Sequence, residues 1–345
     1  MISASQGFIN QSDRYDKDNA GTSKSKYTLI KYGELSYNHG NSKIKKYGAV
    51  FAMNNKGALI PFVYHTFSIR KPNNPFYFAK YLNLNMHNRY LKKVISSGAR
   101  MDGLLNISLD DFFKMPINYP SLEEQNKIND FLEKIDIKIN LINDKISILK
   151  KYKEGVFLDT RKCSKKTALK NILSEINIKT KYNNQYEILS STAIGLFSQK
   201  EYFKHQVASE NNIGYKIIKK GQLLFSPQNL WLGNINLNND FEIGMVSPSY
   251  KIYEIDNSIN SLWLISMLKS QNMLYKYKQI SEQGASVVRR NLDLSQFLEI
   301  TLDIPDNQIQ IGIALETIDK KINALSNLLM NLKNLKMHLL NEMFI

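Results

Sequence analysis

The sequence predicts an α+β fold: two tandem α/β domains and a pair of long antiparallel coiled-coil helices, related by an internal pseudo-twofold duplication. Three observations predict it. The chain has 345 residues, beyond the usual size of one compact domain, so two cores of about 100 to 150 residues each are expected. Motifs of the first half recur in the same order in the second. Two segments, one per half, carry apolar residues at a strict heptad spacing. The boundaries that follow are a domain over 1–120, a helix over 121–160, a domain over 161–305 and a helix over 306–345.

The repeat runs along the whole chain. Near the start, Gly7 and Gln11 answer Gly195 and Gln199. Tyr27-Thr28-Leu29-Ile30-Lys31-Tyr32-Gly33-Glu34-Leu35 then answers Tyr215-Lys216-Ile217-Ile218-Lys219-Lys220-Gly221-Gln222-Leu223. These are strand-like runs closed by a glycine. Gly57-Ala58-Leu59-Ile60-Pro61 and Gly244-Met245-Val246-Ser247-Pro248 are a second matched pair of strand-like runs. Helical stretches follow over 75–95 and 259–280. Farther on, Gly98-Ala99 matches Gly284-Ala285, Asn106-Ile107-Ser108-Leu109 matches Asn291-Leu292-Asp293-Leu294, Phe112 matches Phe297 and Pro120 matches Pro305. The offset shrinks from 188 to 183 along the chain, as small loop insertions produce.

The long helices are the most legible elements. Ile128, Leu132, Ile135, Ile139, Ile142, Ile146 and Leu149 step by 4, 3, 4, 3, 4, 3, and Ile311, Leu315, Ile318, Ile322, Leu325, Leu329 and Leu332 step identically 183 residues later. A seam of this period is buried only against another helix. Pairing the two buries both stripes, at about 1.5–3 kcal/mol per fully buried side chain. A pseudo-twofold axis between the halves requires the pair to be antiparallel. From Ile128 to Leu149 the rod measures about 32 Å, close to one turn of B-DNA at about 34 Å.

Composition narrows the partner. Forty-six Lys and Arg against 31 Asp and Glu give +15, a positive field that attracts polyanions. The excess is +10 over 1–120, +2 over 121–165, +3 over 166–305 and 0 over 306–345. It lies mostly outside the two helices. Apolar runs fall far short of the roughly 20 residues that span a bilayer, which speaks against an integral membrane protein. Met1-Ile2-Ser3-Ala4 lacks the basic start and apolar core of a secretory signal, and Cys163 is the only cysteine. A cytoplasmic protein is expected.

Catalytic patterns are missing. Neither the dinucleotide-binding Gly-x-Gly-x-x-Gly nor the nucleotide phosphate loop is present. Ser226-Pro227-Gln228-Asn229 resembles the Asn-Pro-Pro-aromatic motif of amino-methyltransferases only superficially. His39, His65, His87, His205 and His338 lack the close spacing of a metal site and read as solvated or structural. Pro305-Asp306 with Glu316 matches a nuclease pattern only in part, because Glu316-Thr317-Ile318 lacks the second-position lysine and lies on the heptad helix.

Two tandem α/β units, each ending in a proline, a Glu-Gln or Asn-Gln and a heptad helix, resemble the type I restriction-modification specificity subunit. The resemblance rests on Gly33-Glu34-Leu35-Ser36-Tyr37-Asn38 and Gly57-Ala58-Leu59-Ile60-Pro61 in unit one. Unit two contributes Gly221-Gln222-Leu223-Leu224-Phe225-Ser226 and Gly244-Met245-Val246-Ser247-Pro248-Ser249-Tyr250. The helix starts Pro120-Ser121-Leu122-Glu123-Glu124-Gln125 and Pro305-Asp306-Asn307-Gln308 are similar to the family's Pro-x-x-Glu-Gln. The resemblance implies a non-catalytic subunit with two target recognition domains, each reading half of a split double-stranded DNA sequence, with the helices setting the spacer. It implies as partners two modification (methyltransferase) subunits, which carry the S-adenosylmethionine, and restriction subunits; this chain would hold no cofactor and no metal. Two other readings stay open: a DNA-modifying enzyme with unrecognised motifs, and a coiled-coil scaffold that never meets DNA.

Unit two opens with a lead-in from Lys166 through Tyr186, whereas unit one starts at Met1 where that lead-in would have ended. About 20 residues lack a counterpart in the repeat, so the first domain is expected to be N-terminally incomplete. In the domains, phosphates are expected to be met by Lys and Arg, and bases by a few side chains at groove edges. The candidates are Lys43, Lys45 and Lys46 after Asn38; Gln228 and Asn229 after Ser226; and Arg100, Arg289 and Arg290 in the later matched loops. For each basic residue a solvated surface charge is the competing reading. Tyr37, Phe225 and Trp231 read as packing.

Overall fold

The structure is a computed structural model describing residues 1–3, 7–10, 27–40, 45–95, 105–159, 164–202, 211–284 and 289–344. It forms two compact units, Met1–Asn143 with Leu328–Ile345, and Asp144–Asn327. Each contains an α/β domain and a length of both long helices.

In unit 1, β1 (Ile2–Ser3) pairs with β2 (Gly7–Phe8), and β3 (Tyr27–Lys31) with β6 (Gly57–Pro61). A three-stranded antiparallel sheet has β4 (Leu35–Asn38) between β5 (Ala49–Ala52) and β7 (His65–Phe67). Gly33 adopts φ +80° at the turn from β3 to β4, a left-handed conformation that favours glycine. Its counterpart Gly221 has φ +83°, which explains why the repeat keeps a glycine there. Leu35, Tyr37 and Val50 face a core completed by α1 (Pro75–Tyr81), α2 (Asn88–Val94) and α3 (Leu109–Phe113). Tyr37 stacks on Phe112 at 4.5 Å, and Tyr77 stacks on Tyr81 and on Phe344.

Unit 2 repeats this plan. Here β12 (Lys216–Lys219) pairs with β15 (Ile243–Val246), and β10 (Leu189–Ser191) with β11 (Leu196–Ser198), which leads into the short helix α5 (Gln199–Tyr202). The central antiparallel sheet runs β14 (Ile235–Leu237), β13 (Leu223–Phe225), β16 (Lys251–Ile255), β9 (Leu173–Ile176). Strand β8 (Ser164–Ala168) pairs with β19 (Thr301–Pro305), and β17 (Ser281–Gln283) with β18 (Arg290–Leu292). Phe225, Trp263, Tyr277 and Phe297 are fully buried with α6 (Ser261–Leu268), α7 (Gln271–Gln279) and α8 (Leu294–Glu299) around them.

The expected helical stretches are each broken into two. Over 75–95 the break comes where the Asn83 side chain takes the Ala79 carbonyl and both backbone polar groups of Val50. Over 259–280 it comes where the Ser270 hydroxyl caps α7 at the Met273 N–H. Side chains that satisfy backbone groups locally compete with helix continuation.

The two long helices, α4 (Leu122–Asp159) and α9 (Gln308–Glu342), bury the expected seam. Leu132 and Leu315 are fully buried, the other seam residues are buried or half-buried, and none is exposed. In unit 1 Leu340 and Phe344 pack with Leu132 and Ile128, and Lys336 pairs with Asp136, an antiparallel register. In unit 2 the same sense is set by Lys153 Nζ, 2.6 Å from Asp319, with Val156 packed among Ile311 and Leu315.

The matched glutamines fasten each helix to its domain. Asn74 caps α1, its Oδ1 accepting from Phe76 and Tyr77, while its own N–H donates to Gln125 Oε1 at 2.9 Å. Asn260 caps α6, and its N–H donates to Gln308 Oε1 at 2.7 Å. Gln125 Nε2 is used on Asn73 and Pro120, and Gln308 Nε2 on Ser258. One glutamine thus ties a capping turn to the start of a long helix.

One turn later, Gly312 of α9 lies against that cap. A Cβ there would come within 2.8 Å of the Trp263 backbone nitrogen and closer still to Asn260 Oδ1. Gly312→Ala is therefore expected to cost about 1–3 kcal/mol as overpacking, although alanine favours a helix interior over glycine by about 1 kcal/mol. Gly155 of α4 has nothing within 4 Å of its Cβ position, so Gly155→Ala is expected to stabilise. Denaturant unfolding of the two variants checks the opposite signs.

Candidate nucleic-acid interface

Unit 2 brings its four candidates together. After β13, Ser226 donates its N–H to the Asn234 carbonyl at 3.1 Å, and the chain turns through Gln228 and Asn229. Leu230, fully buried, anchors the turn in the core. The Arg290 N–H donates to the Gln228 carbonyl at 3.0 Å, so the start of β18 lies beside this turn. Gln228 and Arg289 are exposed there.

Arg290 has a bracing role that composition could not disclose. Its Nε donates to Ser281 Oγ at 2.9 Å, its Nη2 to the Lys278 carbonyl at 3.3 Å, and its guanidinium lies over the Trp231 ring at 5.8 Å. A stacked, forked cation of this kind fixes its surroundings. Arg289 is the side chain the brace presents.

Beneath the turn is a hydrogen-bonded polar core. Ser191 Oγ donates to Asn234 Oδ1 at 2.6 Å, and Asn236 Nδ2 donates to Ser191 Oγ at 2.7 Å. Tyr250 reaches the Ser191 carbonyl at 3.2 Å, and Lys269 Nζ donates to Asn236 Oδ1 at 2.7 Å. Burial pulls the Lys269 ammonium down to about 8, with Asp319 opposing and Lys153 assisting the shift. Fully partnered buried networks rigidify what they carry, here the loop that bears Gln228 and Asn229.

In unit 1, Lys45 is half-buried and donates to the Asn83 carbonyl at 3.0 Å; burial lowers its pKa from the ordinary lysine value. Lys46 is exposed, 5.8 Å from the Tyr47 ring. Lys43 and Arg100 lie outside the described residues. Lys45 also lines a cavity of about 220 Å³ with Lys80, Asn83, Asn85, Lys336 and Asn341. Lys80 donates to Asn129 at 2.5 Å and Lys336 pairs with Asp136, so these cations are partnered within the protein. Sequence reasoning passed over Lys80 and Lys336, which are 256 positions apart and meet only through folding.

Two of the described histidines act as struts. His39 places its two ring nitrogens 2.9 Å from the Leu105 carbonyl and 2.8 Å from that of Val63, and His87 lies 3.1 Å from the Tyr81 carbonyl. Among the described residues, no group of three or more His, Cys, Asp or Glu is placed to hold a metal ion, and no helix is long and apolar enough to cross a membrane.

Comparison with known proteins gives one family. The sequence model described as the type I restriction modification DNA specificity domain matches residues 9–151. No curated protein matches. Among solved structures, the chain is similar to the S subunit of the type I restriction-modification system of M. genitalium, at 15% identity and TM-score 0.58, over 93% of this chain and 85% of that one. The HsdS subunit of Thermoanaerobacter tengcongensis matches at 13% identity and TM-score 0.40, over 92% and 81%. The first of these likenesses shows that the fold is shared.

Proposed function

From the match of residues 9–151 to the type I restriction modification DNA specificity domain, we infer that the chain belongs to that family and is the non-catalytic DNA-recognition subunit of such an enzyme, and that each of its units reads one half of a split target. The observation that carries the reading is the family match over residues 9–151, most of which lies in the stretch 1–120 that holds +10 of the chain's +15. The readers are residues 1–120 and 161–305, and 121–160 with 306–345 form the helices. Gln228, Asn229 and Arg289 meet base edges and phosphates from unit 2, with Arg290 holding their loop; Lys46, Lys45, Lys43 and Arg100 serve unit 1.

The partners are two methyltransferase subunits, which bring the S-adenosylmethionine, and the restriction subunits, all in the cytoplasm. What supports docking on the helices is apolar surface away from the seam. In unit 1, Phe131, Ile137, Leu141 and Leu335 are exposed on the helices; in unit 2, Ile148, Tyr152, Ile309 and Ile313 are. Helix faces of this kind suit partner helices.

The reading is tested with the chain assembled with its methyltransferase subunits, by fluorescence anisotropy on a cognate duplex at graded salt. Affinity should fall by about a thousandfold between about 50 mM and about 200 mM salt as counterions return to the phosphates. Arg289→Ala should flatten that slope by about one if it meets a phosphate. Affinity indifferent to salt would exclude a phosphate-reading role.

A further inference from the structure

The turn that carries Gln228 and Asn229 is fastened through Asn234. Ser226 donates its N–H to the Asn234 carbonyl at 3.1 Å, and the Asn234 N–H donates to the Asn229 carbonyl at 3.3 Å. The Asn234 side chain is in turn held by Ser191: its Oδ1 accepts from Ser191 Oγ at 2.6 Å, and its Nδ2 donates to the Ser191 carbonyl at 3.0 Å. Ser191, Asn234 and Asn236 are all buried. An orientation imposed on these three side chains is therefore imposed on the turn.

Donors and acceptors decide that orientation. Asn236 Nδ2 donates to Ser191 Oγ at 2.7 Å and to the Thr192 carbonyl at 2.8 Å, and Asn236 Oδ1 accepts from Lys269 Nζ at 2.7 Å. An ammonium only donates. With the Asn236 amide reversed, its NH2 would face the ammonium and its oxygen would face the Thr192 carbonyl, so one orientation is allowed. Ser191 Oγ accepts from that amide, so its single proton goes to Asn234 Oδ1, and the Asn234 amide is fixed as well. Lys269 stands at the head of a chain of donors that runs one way, through Asn236 and Ser191 to Asn234. The same ammonium lies 3.3 Å from the Ala193 carbonyl, in the turn between β10 and β11, so hairpin and loop are held from one point.

Unit 1 has a fastening at the matching place. Asn83 stands nine positions after the capping Asn74, as Lys269 stands nine after the capping Asn260. Strand β5 follows the loop of Lys45 and Lys46 as β14 follows that of Gln228 and Asn229, and Asn83 takes both backbone groups of Val50 on β5. In each unit a residue just past the first core helix holds the strand that leaves the candidate loop. In unit 2 that residue is a cation.

We propose that Lys269 is a positioning residue of the unit 2 reader: its ammonium sets the direction of the hydrogen-bond chain beneath the Gln228–Asn229 turn and holds that turn in the orientation that distinguishes one half of the target. The proposal deepens the DNA-recognition reading and rests on it. Removing the ammonium leaves Asn236 Oδ1 buried without its donor, an expensive state that is relieved when the amides beneath the turn rearrange. The loss then reaches base discrimination through a residue that touches no base.

The test uses the full chain assembled with its methyltransferase subunits, unaltered or carrying Lys269→Met or Lys269→Arg. Competition between duplexes of the motif obtained by methylation mapping and duplexes with single-base changes reads the discrimination at each half. Lys269→Met keeps an apolar stem and removes the donor; it should lower discrimination at one half by about tenfold or more, the size of a lost base contact, and leave the other half unchanged. Lys269→Arg, which keeps a donor-only cation, should restore most of it. Amide hydrogen exchange at Ser226 and Asn234 should quicken in Lys269→Met and not in Lys269→Arg. A pH series separates the charge from the filling of space. Burial brings the ammonium down to about 8, with Asp319 of α9 opposing and Lys153 of α4 assisting, and burial holds the Tyr250 phenol above its ordinary value. Discrimination at that half should decline as pH rises through about 8 in the unaltered chain and stay flat in Lys269→Met. Full discrimination in Lys269→Met, equal loss at both halves, or unchanged exchange would overturn the proposal. An unaltered complex that discriminates at neither half refutes the DNA-recognition reading instead, and the exchange result alone then decides whether Lys269 positions the turn.

Discussion

Leu315→Asp is expected to abolish the cooperative unfolding transition of unit 2, and Leu132→Asp that of unit 1. Both leucines are fully buried, Leu315 beside Trp263 and Phe297 in one core and Leu132 beside Tyr77 and Phe112 in the other. Truncating a buried leucine to alanine already costs about 2–5 kcal/mol. A carboxylate adds the penalty of a charge without a partner in an apolar core. Against a usual stability of about 5–15 kcal/mol, the sum leaves little or no folded population of the affected unit. Ile137→Asp and Leu141→Asp make the control, because these α4 residues are 53% and 62% exposed and should change stability by about 0.5 kcal/mol or less. Calorimetry and near-ultraviolet circular dichroism would read all four. Equal effects from the buried and exposed pairs would show that the seam is misplaced.

That contrast marks what was legible in the sequence. A heptad is a one-dimensional signal, so the seam could be read from spacing alone, and the strand segments β3, β6, β12 and β15 could be read from the repeat, though not which of them pair. The repeat also flagged Gln125 and Gln308, but not what they do, because their partners Asn74 and Asn260 are 51 and 48 residues away. The breaks at Asn83 and Ser270 were missed for a different reason: each depends on a side chain choosing a backbone partner over solvent. At the candidate interface, the matched loops proposed Arg289 and Arg290 as equivalents. Folding separates them into one exposed arginine and one arginine spent on Ser281, Lys278 and Trp231.

The separation makes Arg289, with Gln228, the pair on which the functional reading can be tested most sharply. A side chain that makes a good bidentate contact to a base contributes about 1–3 kcal/mol of discrimination, or about ten- to a hundredfold in site preference. Substituting both removes that preference without disturbing the buried network of Ser191, Asn234, Asn236 and Lys269 or the Arg290 brace beneath them. Unit 1, with its own core and its own loops, is unaffected.

The most direct measurement is methylation mapping across the genome in cells that supply the methyltransferase subunit together with this chain, either unaltered or carrying Gln228→Ala and Arg289→Ala. The unaltered chain should yield a split motif of two specific halves separated by unspecified bases. The double variant should keep one half intact and relax one or more positions of the other. Methylation independent of the chain, or a motif unchanged by the double variant, would contradict the assignment of this surface as a DNA reader.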